Sequence, residues 1–204
     1  MAIPNPVLVS SRVRGLAFLI VFAGVAACAR SEPPFLLQNI TGLMPRLEFT
    51  LRDQAGRVVS AENLRGRVVL LYFGYTQCPD ACPTTLAMLG HALRTLGPGA
   101  ASVRVLFVSV DPQRDTLAVL KRYVANFGPQ FIGLRGDDAA LNALTHRYRV
   151  AYHREEPDAQ GYYAVDHSSA VFVFDQKGQA RLLAGARTGS KAIATDLRRL
   201  IGSD

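Results

Sequence analysis

The run Val68-Val69-Leu70-Leu71-Tyr72-Phe73 limits what this chain can become more than any other stretch. An uninterrupted apolar segment of this length, with β-branched and aromatic side chains, reads as a buried strand. It is followed by Gly74-Tyr75-Thr76-Gln77-Cys78-Pro79-Asp80-Ala81-Cys82-Pro83 and then by residues 84–96, which carry a helical pattern. Two cysteines therefore sit where a strand hands over to a helix. Pro83 suits the first helical turn, where a missing N–H costs nothing, so Cys82 falls near the cap and Cys78 about one turn earlier. Both sulfurs then lie near the positive end of the helix dipole, a place that favours thiolate over thiol. The spacing leaves two fates open: a reversible disulfide, or shared ligation of one soft ion. A lone structural pair is the weaker reading, because it adds little to a chain with this much core.

The length of 204 residues, 49% of them hydrophobic, suffices for one well-buried domain. The start of the chain is different in kind. Arg12 and Arg14 precede an uncharged apolar run, residues 15–27, that ends in small residues, the pattern of a signal peptide. Cys28 follows at once, and Val25-Ala26-Ala27-Cys28 resembles the lipobox of bacterial lipoproteins. The expected organisation is a lipoprotein-type signal peptide over 1–27, a tether over 28–45 and one domain over 46–204. An uncleaved anchor and cleavage near Ala29 are the alternatives. Each version exports the domain, to the periplasm or the outer face of the cytoplasmic membrane, and the first two hold it there by its N-terminus. With Cys28 set aside, the remaining thiols are the motif pair, so no disulfide framework explains them. The net charge of +7 falls to +5 once Arg12 and Arg14 leave, and the basic residues are scattered rather than interleaved with aromatics. That argues against a nucleic-acid partner.

Along the domain, residues 47–51 and 57–59 read as a β-hairpin around Asp53-Gln54-Ala55-Gly56. Residues 103–110 form a second buried strand, a helix runs from about Thr116, and 132–134 is a short strand. Asp137-Asp138 caps the next helix. Residues 150–153, 170–174 and 180–184 read as strands, and 190–202 as an amphipathic helix. The order is that of an α/β, thioredoxin-like fold with an N-terminal β-hairpin extension.

Four histidines could complete a metal site with Cys78 and Cys82. His91, His146 and His153 lie on predicted helix faces or near a strand end, where a surface or structural role is the simpler account. His167 begins Asp166-His167-Ser168-Ser169 just before strand 170–174. If that strand runs antiparallel to 68–73, its start lies beside the cysteine loop. Two thiolates and an imidazole form a soft three-coordinate set that suits Cu(I), and with an added oxygen can hold Cu(II), whereas zinc ordinarily asks for four ligands. Asp166 is a candidate to orient the ring.

Three blocks, residues 74–83, Val108-Ser109-Val110-Asp111-Pro112-Gln113-Arg114-Asp115-Thr116 and Val165-Asp166-His167-Ser168, resemble the signatures of the Sco/SenC family over roughly 46–203. The resemblance implies a membrane-tethered metallochaperone binding one copper through Cys78, Cys82 and His167. It further implies a partner, cytochrome c oxidase subunit II, whose CuA site receives copper or has its cysteines reduced. A copper donor and a thiol reductant are implied with it. Asp111 and Asp115 match as motif residues only; the simpler reading makes Asp115 a helix cap and Asp111 the start of a turn. Where a thioredoxin would place a cis-proline, the chain reads His167-Ser168-Ser169, which argues against a general oxidoreductase. The competing reading is an enzyme, a thiol:disulfide reductase or thiol peroxidase with Cys78 as nucleophile and Cys82 as resolving thiol. Thr76, two residues before Cys78, bears a loose likeness to peroxidases.

Overall fold

The computed structural model describes Ala2, residues 34–185 and residues 187–202. The other residues, among them those of the expected signal peptide, Cys28 and 29–33, lie outside the described residues. Among the described residues no helix is long and apolar enough to cross a membrane.

The apolar run forms β4, Val68–Gly74, with every residue buried. It sits inside an eight-stranded sheet. Its parallel neighbour is β5, Val103–Ser109, which pairs in turn with β6, Phe131–Arg135. Parallel strands covered on both faces are apolar throughout rather than alternating, and this is why the two buried runs are the easiest elements to recognise. The crossovers are α1, Ala81–Leu96, and α2, Leu117–Ala125. Beyond β6 lies the hairpin of β2, Thr50–Asp53, and β3, Val58–Ser60. Its turn passes through Gly56 at φ +81°, a left-handed conformation that glycine adopts without steric cost.

On the other side of β4 the sheet turns antiparallel, through β9, Val171–Phe174, and β10, Ala180–Ala184. The register pairs Val69 with Phe174 and Tyr72 with Val171. The start of β9 thus lies beside the end of β4 from which the cysteine loop leaves, as the sequence argument required. Between α3, Asp138–Arg147, and β9 the chain makes a separate two-stranded ribbon of β7, Tyr152–Arg154, and β8, Val165–His167. Helix α4, Ser190–Ile201, closes the chain and packs against α1. The α/β, thioredoxin-like order with its added hairpin is present.

Three expectations need correction. Residues 34–45 were assigned to the tether, yet they belong to the domain. Gln38–Asn39 form β1 on the open edge of β10, Leu37 and Ile40 are buried, and the Leu37 amide donates to Asp196 Oδ2 at 2.8 Å. An exposed sheet edge and two apolar side chains outweigh the local proline content. Helix α1 starts at Ala81 with Asp80 at its cap, where the cap was expected near Cys82, while Pro83 lies in the first turn as expected and sacrifices no hydrogen bond there. Asp115 does not cap α2; Thr116 does, accepting from the Val119 amide.

Candidate metal centre

Cys78 lies in the irregular loop after β4 and is half-buried, whereas Cys82 sits in the first turn of α1 with no exposed surface. Both thiols are free. The early start of α1 gives Cys82 an amide without an intrahelical partner, and that amide donates to Cys78 Sγ at 3.4 Å. His167, the last residue of β8, brings Nε2 to 3.2 Å from Cys82 Sγ. One donor atom from each of Cys78, Cys82 and His167 falls within 4.8 Å of the others. Metal–thiolate and metal–imidazole bonds are about 2.3 and 2.0 Å long, so donors around one ion stand about 3.5–4 Å apart. The three side chains therefore fit a single small soft cation with minor adjustment. His91, His146 and His153 are exposed and outside this group, in keeping with the surface role expected of them.

Ring orientation follows from the other nitrogen. His167 Nδ1 lies 3.0 Å from the Ser168 carbonyl, which only accepts, so Nδ1 carries the proton and Nε2 presents its lone pair to the sulfurs. The ring is held by that carbonyl, while Asp166 is exposed on the ribbon and makes no such bond. Tyr72 and Tyr75 pack edge-on against the imidazole, with ring centroids at 6.0 and 5.9 Å.

Cys82 Sγ accepts from the Tyr72 hydroxyl at 3.5 Å and from the Tyr75 amide. Burial nevertheless pushes its thiol up to about 12, against the opposing pull of those donors. The expected thiolate preference fails for Cys82, since desolvation in the core outweighs the helix dipole. Burial likewise lowers the pKa of His167, with the Ser168 carbonyl opposing, so the imidazole is neutral at pH 7. Tyr72 was missed in the sequence. A tyrosine inside an otherwise apolar buried run needs a partner for its hydroxyl, and that was the available signal.

These directions fix a pH dependence. An imidazole whose folded pKa lies below its unfolded value adds stability above the unfolded value, and this stability is lost as pH falls through the folded pKa. A thiol raised above its unfolded value acts oppositely, with its contribution lost as pH climbs from about 9 toward about 12. The reduced apo domain should therefore unfold at lower denaturant concentration on both the acid and the alkaline side. The acid-side loss should shrink in His167→Ala; an unchanged acid limb in that variant would contradict the assignment.

Thr76 is held by Asp115. Its amide and hydroxyl donate to that buried carboxylate, the hydroxyl at 2.6 Å, and Ser109 donates to it as well. Asp111 opens the turn at Pro112 as expected, its carbonyl accepting from the Asp115 amide at 3.0 Å, but its side chain is fully buried. It accepts from Tyr163 and pairs with Arg114 and Arg154.

A family model described as SCO1/SenC matches residues 44–202. A SCO2-like protein of Rickettsia prowazekii is 39% identical over 132 residues, which is 64% of this chain and 64% of the relative. The mitochondrial SCO2 homolog of Bos taurus is 42% identical over 133 residues, 64% of this chain and 50% of the relative. The matched part of the chain thus spans between half and two thirds of the length of these relatives. Among solved structures, ScoI of Bradyrhizobium japonicum with copper bound superposes with a TM-score of 0.70 at 37% identity, over 76% of this chain and 98% of that one.

Proposed function

Because the chain belongs to the SCO1/SenC family, we propose that its domain carries one copper ion on Cys78, Cys82 and His167 and serves the assembly of cytochrome c oxidase. The observation that carries this reading is the convergence of two thiols and the free lone pair of one imidazole at a single point. Two sulfurs and one nitrogen favour a soft monovalent ion over zinc, which would lack a fourth protein ligand. The copper-bound Bradyrhizobium relative supports the same cargo.

The residues divide the work by depth. Cys82 and His167 form the inner wall, fixed by Tyr72, Tyr75 and the Ser168 carbonyl. Cys78 stands at the rim, where an incoming ligand reaches it first. Loading releases the Cys82 proton to solvent, because the Nε2 lone pair 3.2 Å away must stay unprotonated to hold the metal, and unloading begins by exchange at Cys78. The recipient is the CuA site of oxidase subunit II, which either takes the copper or has its cysteine pair reduced by Cys78 and Cys82. In the second case a mixed disulfide forms at Cys78, Cys82 displaces the partner's thiol, and this domain ends oxidised by two electrons. The pattern of residues 12–28 supports an exported domain tethered by its N-terminus outside the cytoplasmic membrane, where the pair needs a reductant to stay open.

The test is incubation of the copper-loaded domain with the apo, reduced soluble domain of subunit II, followed by CuA absorption. A parallel mixture holds the metal-free reduced domain and oxidised recipient, followed by thiol counting. Appearance of CuA supports delivery, and new recipient thiols support reduction. A recipient unchanged in both mixtures would overturn the proposal.

A further inference from the structure

The Asp111–Arg114 cluster is not accounted for by metal ligation. Arg114 lies where three segments meet. Its Nε donates to Asp111 in the loop after β5, and one Nη1 reaches both the Tyr163 carbonyl of the ribbon at 2.9 Å and Gln77 Oε1 of the cysteine loop at 3.2 Å. The guanidinium stacks on the Tyr163 ring at 3.5 Å and lies 5.6 Å from the Tyr75 ring. Tyr163 returns its hydroxyl to Asp111 at 2.9 Å, and Arg154 of β7 approaches the same carboxylate at 3.5 Å. Tyr163 precedes β8 by two residues, and β8 ends at His167.

The cluster is poorly built for stability alone. Arg114 Nη2 and Arg154 Nε are buried with no hydrogen-bond partner among the described residues. Buried ionic groups with unsatisfied donors contribute little net stability, and their use lies in fixing one arrangement of the segments they join. Here the segments joined are those that carry Cys78 and His167.

We infer that Arg114 is a positioning residue that clamps the β7–β8 ribbon onto the cysteine loop, so that His167 meets the two sulfurs at ligand distance. This deepens the copper reading and rests on it for its metal-binding consequence. The fork is essential: the planar guanidinium bonds Asp111, Tyr163 and Gln77 at once while stacking on an aromatic face, and a lysine keeps only the charge. The clamp acts through the imidazole and not on the sulfurs directly. Its loss therefore matters only while His167 is there to be positioned.

Arg114→Lys is the variant, in the wild-type and His167→Ala backgrounds, with two readouts: Cu(I) affinity by competition with a chelator, and amide hydrogen exchange of the reduced apo domain. In the wild-type background affinity should fall about 10–100-fold, the usual cost of removing a group that orients a ligand. Amides of β7 and β8 should exchange several-fold faster while those of β4 and β5 keep their protection. In the His167→Ala background Arg114→Lys should bring no further loss of affinity. An equal loss in both backgrounds, or wild-type affinity and exchange in the folded variant, would overturn the inference. Should Arg114→Lys fail to fold, Gln77→Ala, at an exposed side chain, is read the same way, with a smaller loss expected only when His167 is present. Wild-type protein that takes up no copper would defeat the copper reading instead, and the exchange comparison would then decide the clamp by itself.

Discussion

Replacing His167 by alanine is expected to weaken Cu(I) binding by more than about 100-fold, beyond the cost of removing a group that merely orients a ligand. The same protein should still close a Cys78–Cys82 disulfide under mild oxidant. The two halves of that result separate the copper reading from the dithiol enzyme. A metal centre needs the lone pair that Nε2 points at Cys82 from 3.2 Å, whereas thiol exchange needs only the two sulfurs. Chelator competition and thiol counting on the one variant read both. Copper affinity indistinguishable from wild type would remove the imidazole from the site. Loss of disulfide formation together with copper binding would point to a collapsed loop.

Gly74→Ala should damage both fold and site. A Cβ at position 74 would stand 2.6 Å from Cys82 Sγ and 2.8 Å from Phe107 Cε2. Neither neighbour can retreat cheaply. Phe107 is fully buried between Tyr72 and Tyr123, with ring centroids at 6.2 and 5.3 Å, and Cys82 is buried under the Tyr72 hydroxyl. Overpacking of this kind costs about 1–3 kcal/mol. In a domain of this size each kcal/mol lowers the thermal midpoint by about 2–4 °C. Relief by moving Cys82 would also draw its sulfur away from His167, so copper affinity should fall with stability. A variant that keeps the wild-type melting midpoint and affinity would show that the sulfur does not occupy the place described.

What the sequence made legible follows from how each element announces itself. Strand β4 and the cysteine loop are dictated locally, by an unbroken apolar run and by turn residues. His167 was reachable by topology, because an antiparallel β9 has one possible end beside the loop, and the register of Tyr72 with Val171 meets that condition. Asp111 was not reachable. Next to Pro112 it looks like a turn residue, and the partners that bury it, Tyr163 and Arg154, lie 52 and 43 positions further along the chain. Strand β1 escaped for another reason: two residues cannot show a period, and their pairing depends on an edge of β10 that exists only once the sheet is built. The Cys82 thiol shows the limit of local electrostatics, since a helix start favours the thiolate but the degree of burial, a property of the whole fold, decides otherwise.

The most direct measurement is the copper K-edge X-ray absorption spectrum of the reduced domain loaded with one equivalent of Cu(I). Two sulfur scatterers at about 2.3 Å and one nitrogen at about 2.0 Å are predicted, by the usual lengths of metal–thiolate and metal–imidazole bonds. A shell of oxygen and nitrogen alone, or one that His167→Ala leaves unaltered, would contradict the account.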